Sequence, residues 1–461
     1  MTLIKSISGI RGTIGGFPGD NLTPIDIVKF SAAFAEFIKE SQRKEKIKLV
    51  IGRDARVSGP MVNYLIIGSM MAKGVDIIDI GLATTPTVEI YVPELNADGG
   101  IIITASHNPG QWNALKLLNG KGEFINAVEG ARVLELAENP QISFSDVSDL
   151  GKYECDDKAL DIHIKQILDL PLVDKEAIAK ANFKVAIDCV NSVGGISIVP
   201  LLKILGVKNI LELYTEPSGD FPHNPEPLPE NLTEISELIK RKNADIGFVV
   251  DPDVDRLAIV LEDGNMFGEE YTLVAVSDYI LQNKKGNTVS NLSSTRALRD
   301  VTQMHGGEYA AAAVGEVNVV LKMKETNAII GGEGNGGIIY PELHYGRDAL
   351  VGIALFLTFL AKSGKKCSEL RSTYPEYHIS KNKITLSPEM DVDNILLKIK
   401  ELYKEYGPNT IDGVKIDFEN GWVHLRKSNT EPIIRIYAEG RTKNEAADYA
   451  EKLLKDINSI I

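Results

Sequence analysis

Ser106 stands in Thr104-Ala105-Ser106-His107-Asn108-Pro109, directly after the apolar run Gly99-Gly100-Ile101-Ile102-Ile103. A buried strand that ends in hydroxyl, imidazole and amide side chains delivers polar groups to the carboxyl edge of a sheet, where open α/β folds place their chemistry. A serine there is a candidate for group transfer, although the same residues also suit a plain strand-terminating turn. Two further segments bear on the choice. Asp251-Pro252-Asp253-Val254-Asp255-Arg256 follows the strand-like Ile246–Val250. Carboxylates at alternate positions of an extended segment share one face and suit a hard cation. Arg426-Lys427-Ser428-Asn429-Thr430-Glu431-Pro432 lies between two strand-like runs and offers a guanidinium, hydroxyls and an amide to an oxyanion. A serine, a cation site and an anion loop are the parts needed to move a phosphoryl group.

A calcium loop is the rival reading of the aspartates, since Glu262 stands where a twelfth ligand would fall. It fails because the sixth position is Arg256 rather than glycine and both flanks read as strands. A solvated acidic turn is the remaining alternative. Few carboxylates plus a phosphate oxygen match Mg2+ usage, and Pro252 keeps the stretch out of an ordinary inner strand.

The elements that must position these loops can be read from the apolar periodicity. Thr23 is a helix N-cap with Pro24 at the first helical position, and the helix runs to about residue 39. A strand at 47–51 leads into Arg53-Asp54-Ala55-Arg56, read as ion-paired support for the site, with a solvated charged turn as the alternative. Helices from Pro60 and Pro86 and a strand at 75–80 precede the Ser106 strand. Alternation of this kind predicts a mostly parallel sheet. A second α/β unit follows the polar stretch 143–153 and ends with the aspartate loop and a strand at 257–261. A third holds a strand at 328–330, then Gly331-Gly332-Glu333-Gly334-Asn335-Gly336-Gly337, then a long apolar helix at 349–361. The last section differs. Hairpin signals at Asp412-Gly413 and Asn420-Gly421 between helices at 392–406 and 443–457 predict an α+β domain.

A chain of 461 residues is too long for one ordinary core and implies roughly three or four domains. Its 50 basic and 64 acidic residues give a net charge of −14, which argues against nucleic acid or an anionic membrane as the main partner. An anionic substrate is still open, because a few Arg and Lys residues can dominate one cleft. Cys155, Cys189 and Cys367 have neither metal-type nor disulfide-framework spacing, so they read as incidental thiols in a reducing compartment. No stretch has the length and apolarity of a membrane span or a signal-peptide core, and the expected location is the cytoplasm.

From Gly9-Ile10-Arg11-Gly12 to the Arg426 loop, the motifs and their order resemble the α-D-phosphohexomutase family over essentially the whole chain. The resemblance implies α/β architecture: three similar α/β domains with mixed, mostly parallel sheets plus a smaller α+β C-terminal domain around a central cleft. The implied boundaries are 1–150 with the phosphoserine loop, 151–260 with the metal-binding loop, 261–370 with the sugar-binding loop, and 371–461 with the phosphate-binding loop. It implies interconversion of a hexose 6-phosphate and 1-phosphate through phosphorylated Ser106 and a bisphosphorylated intermediate. A hexose 1,6-bisphosphate would be the activator. It assigns Mg2+ to Ser106, Asp251, Asp253 and Asp255, catalytic roles to Lys116, Arg11, His107 and Arg256, and substrate contacts to Glu333, Asn335, Arg426, Ser428, Asn429 and Thr430.

Three positions depart from the family pattern. Well-known members carry Ser and His two and four residues after the sugar-loop Glu, where this chain has Asn335 and Gly337. Asn429 stands where the glucosamine-phosphate branch usually has Gly. The Gly-Ile-Arg-Gly opening and the Thr-Glu-Pro tail nevertheless resemble that branch, so glucosamine phosphate is the expected substrate. Mannose or glucose phosphate is the alternative, and a non-catalytic sugar-phosphate sensor is the reading from another class.

Overall fold

The computed structural model describes residues 2–6, 9–139, 141–385, 390–427 and 433–460. The chain divides into two compact units, one of residues 1–279 and 335–371 and the other of 280–334 and 372–461.

In the first unit, the helix Pro24–Gln42 begins where a capping box predicts. Thr23 Oγ1 accepts from Asp26 N, and the Asp26 carboxylate accepts from Thr23 N. Ile27, Phe30, Phe34 and Ile38 bury one face of this helix on the first sheet. That sheet has seven strands: β1 (Ile4–Ser6), β2 (Gly9–Thr13), β3 (Lys48–Arg53), β4 (Asp76–Leu82), β5 (Gly99–Ile103), β6 (Trp112–Asn119) and β7 (Tyr153–Cys155). Their spatial order is β1-β2-β6-β5-β3-β4-β7. The half from β5 to β7 is parallel, as periodicity predicts for strands joined by helices Gly59–Ala72 and Thr85–Glu94. The half from β1 to β5 is antiparallel. The sequence reading did not separate it, because β6 follows the serine loop without an intervening helix.

A second sheet in this unit comprises β8 (Lys184–Asp188), β9 (Asn209–Leu213), β10 (Ile246–Val250) and β11 (Leu257–Leu261), in the order β11-β10-β8-β9. β8, β9 and β10 are parallel and β11 returns antiparallel, so the aspartate loop is a tight connection between neighbouring strands. β10 and β11 are buried along their whole length.

In the second unit, β12 (Asn287–Asn291) lies between β13 (Tyr309–Ala312) and β14 (Ala328–Glu333), all parallel. The chain returns to the first unit through β15 (Gly337–Ile339) and the helix Ala349–Ser363. It then completes the second unit with an antiparallel sheet of β16 (His378–Thr385), β17 (Val414–Asp417), β18 (Trp422–Lys427) and β19 (Ile433–Gly440), ordered β16-β19-β18-β17. Helices Val392–Leu402 and Lys443–Ile460 pack on this sheet through Ile395, Ile399, Leu453 and Ile457. The smaller C-terminal domain is thus α+β, and β17 and β18 turn at the expected Asn420-Gly421.

Among the described residues no helix is long and apolar enough to cross a membrane. The apolar helix Ala349–Ser363 is instead buried protein core. Phe356 meets Phe248 of β10 and Phe267 edge-on, with centroids 6.4 and 5.3 Å apart. Replacing Phe356 by Ala should remove about 3–5 kcal/mol. The check is the urea midpoint of the first unit's transition, and a loss below about 1 kcal/mol would mean this contact does not anchor the helix.

Candidate active site

Ser106 follows β5 and lies 4% exposed with φ of 50°. A non-glycine residue in the left-handed region costs on the order of 1–3 kcal/mol and persists only where neighbours fix it. Arg56 does the fixing. Its Nη1 donates to the carbonyls of Pro109 (2.7 Å) and Trp112 (3.1 Å), and its Nη2 to those of Asn108 (2.6 Å) and Ser106 itself. The remaining donor, Nε, goes to Asp54 Oδ2 at 3.0 Å, which also accepts from the Thr104 hydroxyl. Arg56 and Asp54 have no exposed surface. Burial pushes the Asp54 carboxyl up, with Arg56 and Thr104 pulling against it. The charged residues after β3 therefore form the expected ion-paired support, and the Arg56 guanidinium organises the serine loop.

The aspartates converge, but not as an extended strand. Val254 has φ of 62°, and its N–H donates to Asp251 O at 3.1 Å. For a β-branched residue this conformation is an outlier. The turn it makes brings one carboxylate oxygen from each of Asp251, Asp253 and Asp255 within 4.8 Å of the others, all fully buried. Neighbouring elements hold the turn. Thr85 N donates to Asp253 O (2.9 Å), Ser192 Oγ to Pro252 O (2.7 Å) and Ala349 N to Val254 O (3.2 Å).

Across this cluster Ser106 Oγ donates to Asp251 Oδ2 at 2.7 Å, which ties the serine loop to the aspartate loop. Asp251 Oδ1 accepts from the N–H groups of Asp255 and Arg256. Lys116, from β6, places Nζ 2.6 Å from Asp253 Oδ2 and 3.4 Å from Asp255 Oδ2. Burial, then Asp255 and Asp253, drive the Asp251 carboxyl well above its ordinary range. Burial acts the same way on Asp253, but Lys116 and the Thr85 hydroxyl outweigh it and hold that carboxyl well below its range. Burial also disfavours the Lys116 charge, yet Asp253 and Asp255 prevail, so Lys116 is held as a cation.

Asp253 Oδ1 and Asp255 Oδ1 are buried with no hydrogen-bond partner among the described residues. Carboxylate oxygens in that condition fit a hard divalent cation, because they are acceptors that no protein donor satisfies.

Other cations gather beside the serine. Arg11 Nη1 donates to Asn108 Oδ1 at 3.2 Å, and Arg256 Nη1 lies 3.4 Å from Glu226 Oε1. His107 Nδ1 lies 3.3 Å from Ser106 Oγ. Burial together with Arg256, Arg11 and Arg347 pushes the His107 imidazole well below its ordinary value, so it is neutral. The structure thus unites Ser106, His107, Lys116, Arg11, Asp251, Asp253, Asp255 and Arg256 in one unit. It adds Thr85, Glu226 and Arg347, which sequence reasoning missed. Thr85 is signalled only as part of a helix start, and Arg347, whose Nη2 donates to Asp255 Oδ2 at 2.7 Å, only as the residue before a helix N-cap. Glu226 carries no signal of its own.

Asn335 belongs to the same unit, where its Oδ1 accepts from Gly337 N at 3.3 Å. Glu333 and Arg426 belong to the second unit. Glu333 Oε1 accepts from Asn291 Nδ2 (2.8 Å) and Gly315 N (3.0 Å). Arg426, on β18, is buried with Nε lacking a partner among the described residues. Burial and Arg435 weaken its charge, while Asp412 and Glu333 support it. Ser428, Asn429 and Thr430 lie outside the described residues.

Four family models described as phosphoglucomutase/phosphomannomutase match in order: alpha/beta/alpha domain I at 3–141, domain II at 161–264, domain III at 268–377 and the C-terminal domain at 387–456. The chain belongs to the α-D-phosphohexomutase family. Among its relatives, a phosphoglucomutase/phosphomannomutase of Thermococcus kodakarensis is 36% identical over 96% of this chain and 98% of its own. A phosphoglucosamine/phosphogalactosamine mutase of Sulfurisphaera tokodaii is 32% identical over 97% of each chain. A crystal structure of a phosphoglucomutase/phosphomannomutase family protein from Burkholderia thailandensis superposes with a TM-score of 0.84 at 26% identity, covering 99% of this chain and 97% of its own.

Arg56→Ala should cost about 3–5 kcal/mol, because it strands a buried carboxylate and releases four loop carbonyls. Arg56→Lys should restore little of that, since an ammonium cannot reproduce the planar fork. Thermal denaturation and amide exchange over residues 104–112 check both. Native protection in the Lys variant would show that charge alone suffices.

Proposed function

We propose that this protein interconverts a hexose 6-phosphate and 1-phosphate in the cytoplasm, with Ser106 as the phosphoryl carrier. The observation that carries this reading is the Ser106 hydroxyl, held in a left-handed turn 2.7 Å from Asp251 in a three-carboxylate site. In the first half-reaction the Oγ–P bond of phosphoserine breaks as a sugar hydroxyl oxygen bonds to phosphorus, and on balance the hydroxyl proton ends on Ser106 Oγ. Lys116, held as a cation, would give a proton to Ser106 Oγ as that bond breaks and take the sugar hydroxyl proton in its place. The bisphosphorylated sugar then reorients, and Ser106 takes back the other phosphate by the reverse exchange.

Asp251, Asp253, Asp255 and the serine phosphate would hold Mg2+, which offsets negative charge on the transferring group. Arg11, Arg256 and neutral His107 orient the serine phosphate. Arg426, with Ser428, Asn429 and Thr430, binds the phosphate that does not react, while Glu333 and Asn335 contact the sugar. Holding one phosphate at a fixed site lets either end of the bisphosphate meet Ser106.

The sugar favoured is glucosamine phosphate, supported by the motifs at both ends of the chain and by the Sulfurisphaera relative. Glucose or mannose phosphate is the second reading, supported by the Thermococcus relative. Initial rates on glucosamine, mannose and glucose 6-phosphates, each with its 1,6-bisphosphate, separate them. Equal or faster rates on the neutral sugars would overturn the glucosamine preference.

Ser106→Ala should abolish turnover while sugar-phosphate binding remains measurable by calorimetry. Intact-protein mass after bisphosphate treatment should show one phosphoryl adduct on the wild type and none on the variant. A wild type that never gains the adduct would point to a sensor instead. Arg426→Ala should raise KM roughly ten- to hundredfold, from loss of charge-assisted hydrogen bonds of about 1.5–3 kcal/mol each, and an unchanged KM would remove Arg426 from the phosphate site.

A further inference from the structure

The oxygens of Asp253 and Asp255 divide their work. Oδ2 of Asp253 faces Lys116 and Thr85, and Oδ2 of Asp255 faces Arg347 at 2.7 Å and Lys116 at 3.4 Å. Both Oδ1 atoms are buried without a partner among the described residues. Two protein cations are therefore fixed against the same carboxylates that would bind the divalent ion. Lys116 is accounted for in the proposed reaction. Arg347 is not.

The Arg347 stem runs to Asp255 through the space that a side chain at position 337 would fill. A Cβ at Gly337 would lie 2.3 Å from Arg347 Cδ and 3.1 Å from its Cγ, so a side chain there and the arginine stem exclude one another. Glycine at 337 and the guanidinium on Asp255 are thus linked in this structure. The backbone at 347 is also held, by Asp348 N donating to Ile338 O at 2.8 Å and by Ala349 N donating to Val254 O at 3.2 Å. Arg347 is buried, 8% exposed, and its charge is poorly screened by water.

We infer that Arg347 sets how tightly the three-aspartate site holds its divalent cation, acting as a fixed positive charge that weakens the hold and selects the Asp255 oxygen left for the ion. The inference rests on the metal reading given under Proposed function. Two effects of removing Arg347 oppose each other. Losing the restraint on Asp255 would weaken cation binding slightly. Losing a unit charge beside a doubly charged ion in a buried site strengthens it far more, so the net sign is tighter binding.

The test is Mn2+ titration of the full-length protein, following free Mn2+ by electron paramagnetic resonance, with Ser106 phosphorylation matched by intact mass. Arg347→Gln keeps an N–H donor and removes the charge, and it should lower the dissociation constant by about tenfold or more. Arg347→Lys should stay near the wild type. Gly337→Ala, which displaces the arginine stem, should shift the constant in the same direction as Arg347→Gln, and it decides the matter if the latter does not fold. Asp253→Asn should weaken binding in every background. Unchanged or weaker Mn2+ binding in Arg347→Gln and Gly337→Ala, with the Asp253→Asn response intact, overturns the inference alone. Absence of saturable Mn2+ binding in the wild type overturns the metal reading and the inference together.

Discussion

Three carboxylates with no exposed surface share one pocket, and their mutual repulsion and lost hydration constrain everything around them. Removing an ion from water costs several kcal/mol even after relaxation, and like charges side by side add to that cost. The offsetting groups come from separate parts of the chain: Lys116 from β6, Thr85 from the start of a helix, and Arg347 from the segment before another helix. None is near the aspartates in sequence. The first sheet, the second sheet and the returning segment must all be in place before the aspartate loop is tolerable. The loop is therefore a consequence of tertiary structure rather than a preformed motif.

The serine loop meets the same problem from the opposite side. Arg56 is a cation with no exposed surface and one carboxylate partner, Asp54. Its other donors are satisfied by the backbone carbonyls of Ser106, Asn108, Pro109 and Trp112, in the loop where Ser106 is left-handed. Strain at Ser106 is thus matched by the bonds that Arg56 makes to its loop. Strain at Val254 is matched likewise by the convergence of the aspartates and by the N–H of Ala349. A left-handed turn at each loop, meeting through the hydrogen bond from Ser106 to Asp251, is how two strand ends become one site.

Much of this was legible in the sequence, and the reasons for the remainder are specific. Thr23-Pro24 marks a helix start because the cap and the fixed φ of proline are local properties. The strands at 246–250 and 257–261 are legible because both are buried on both faces and read as unbroken apolar runs. Alternation along the chain marks the aspartate trio as one face of an extended segment, whereas a turn through Val254 is what brings the carboxylates together. That conformation is imposed by contacts from elsewhere and leaves no local signature on valine. Arg347, Thr85 and Glu226 escaped for a related reason: each becomes functional only through partners about 90 to 170 positions away in sequence or in a loop without periodicity. β6 was missed because its predecessor is a functional loop rather than a turn or helix.

The segment that carries Arg347 shows how a change in one loop is tied to another. Asp348 accepts from the N–H groups of Leu350 and Val351 as the cap of the helix Ala349–Ser363. Its other oxygen lies 2.9 Å from His163 Nε2, and His163 Nδ1 lies 3.0 Å from the Thr87 hydroxyl in the helix that also carries Thr85. Interaction with His163 and hydrogen bonds from His163 and His344 hold the buried Asp348 carboxyl well below its ordinary range against the effect of burial. The helix cap and the arginine are neighbours in sequence, so locking one locks the other. A larger side chain at 337 would have to displace the Arg347 stem while the neighbouring backbone stays held by the cap and by the bond from Ala349 to Val254. Glycine at 337 is therefore tied to the contact between Arg347 and Asp255, and the two sequence positions have to be read together.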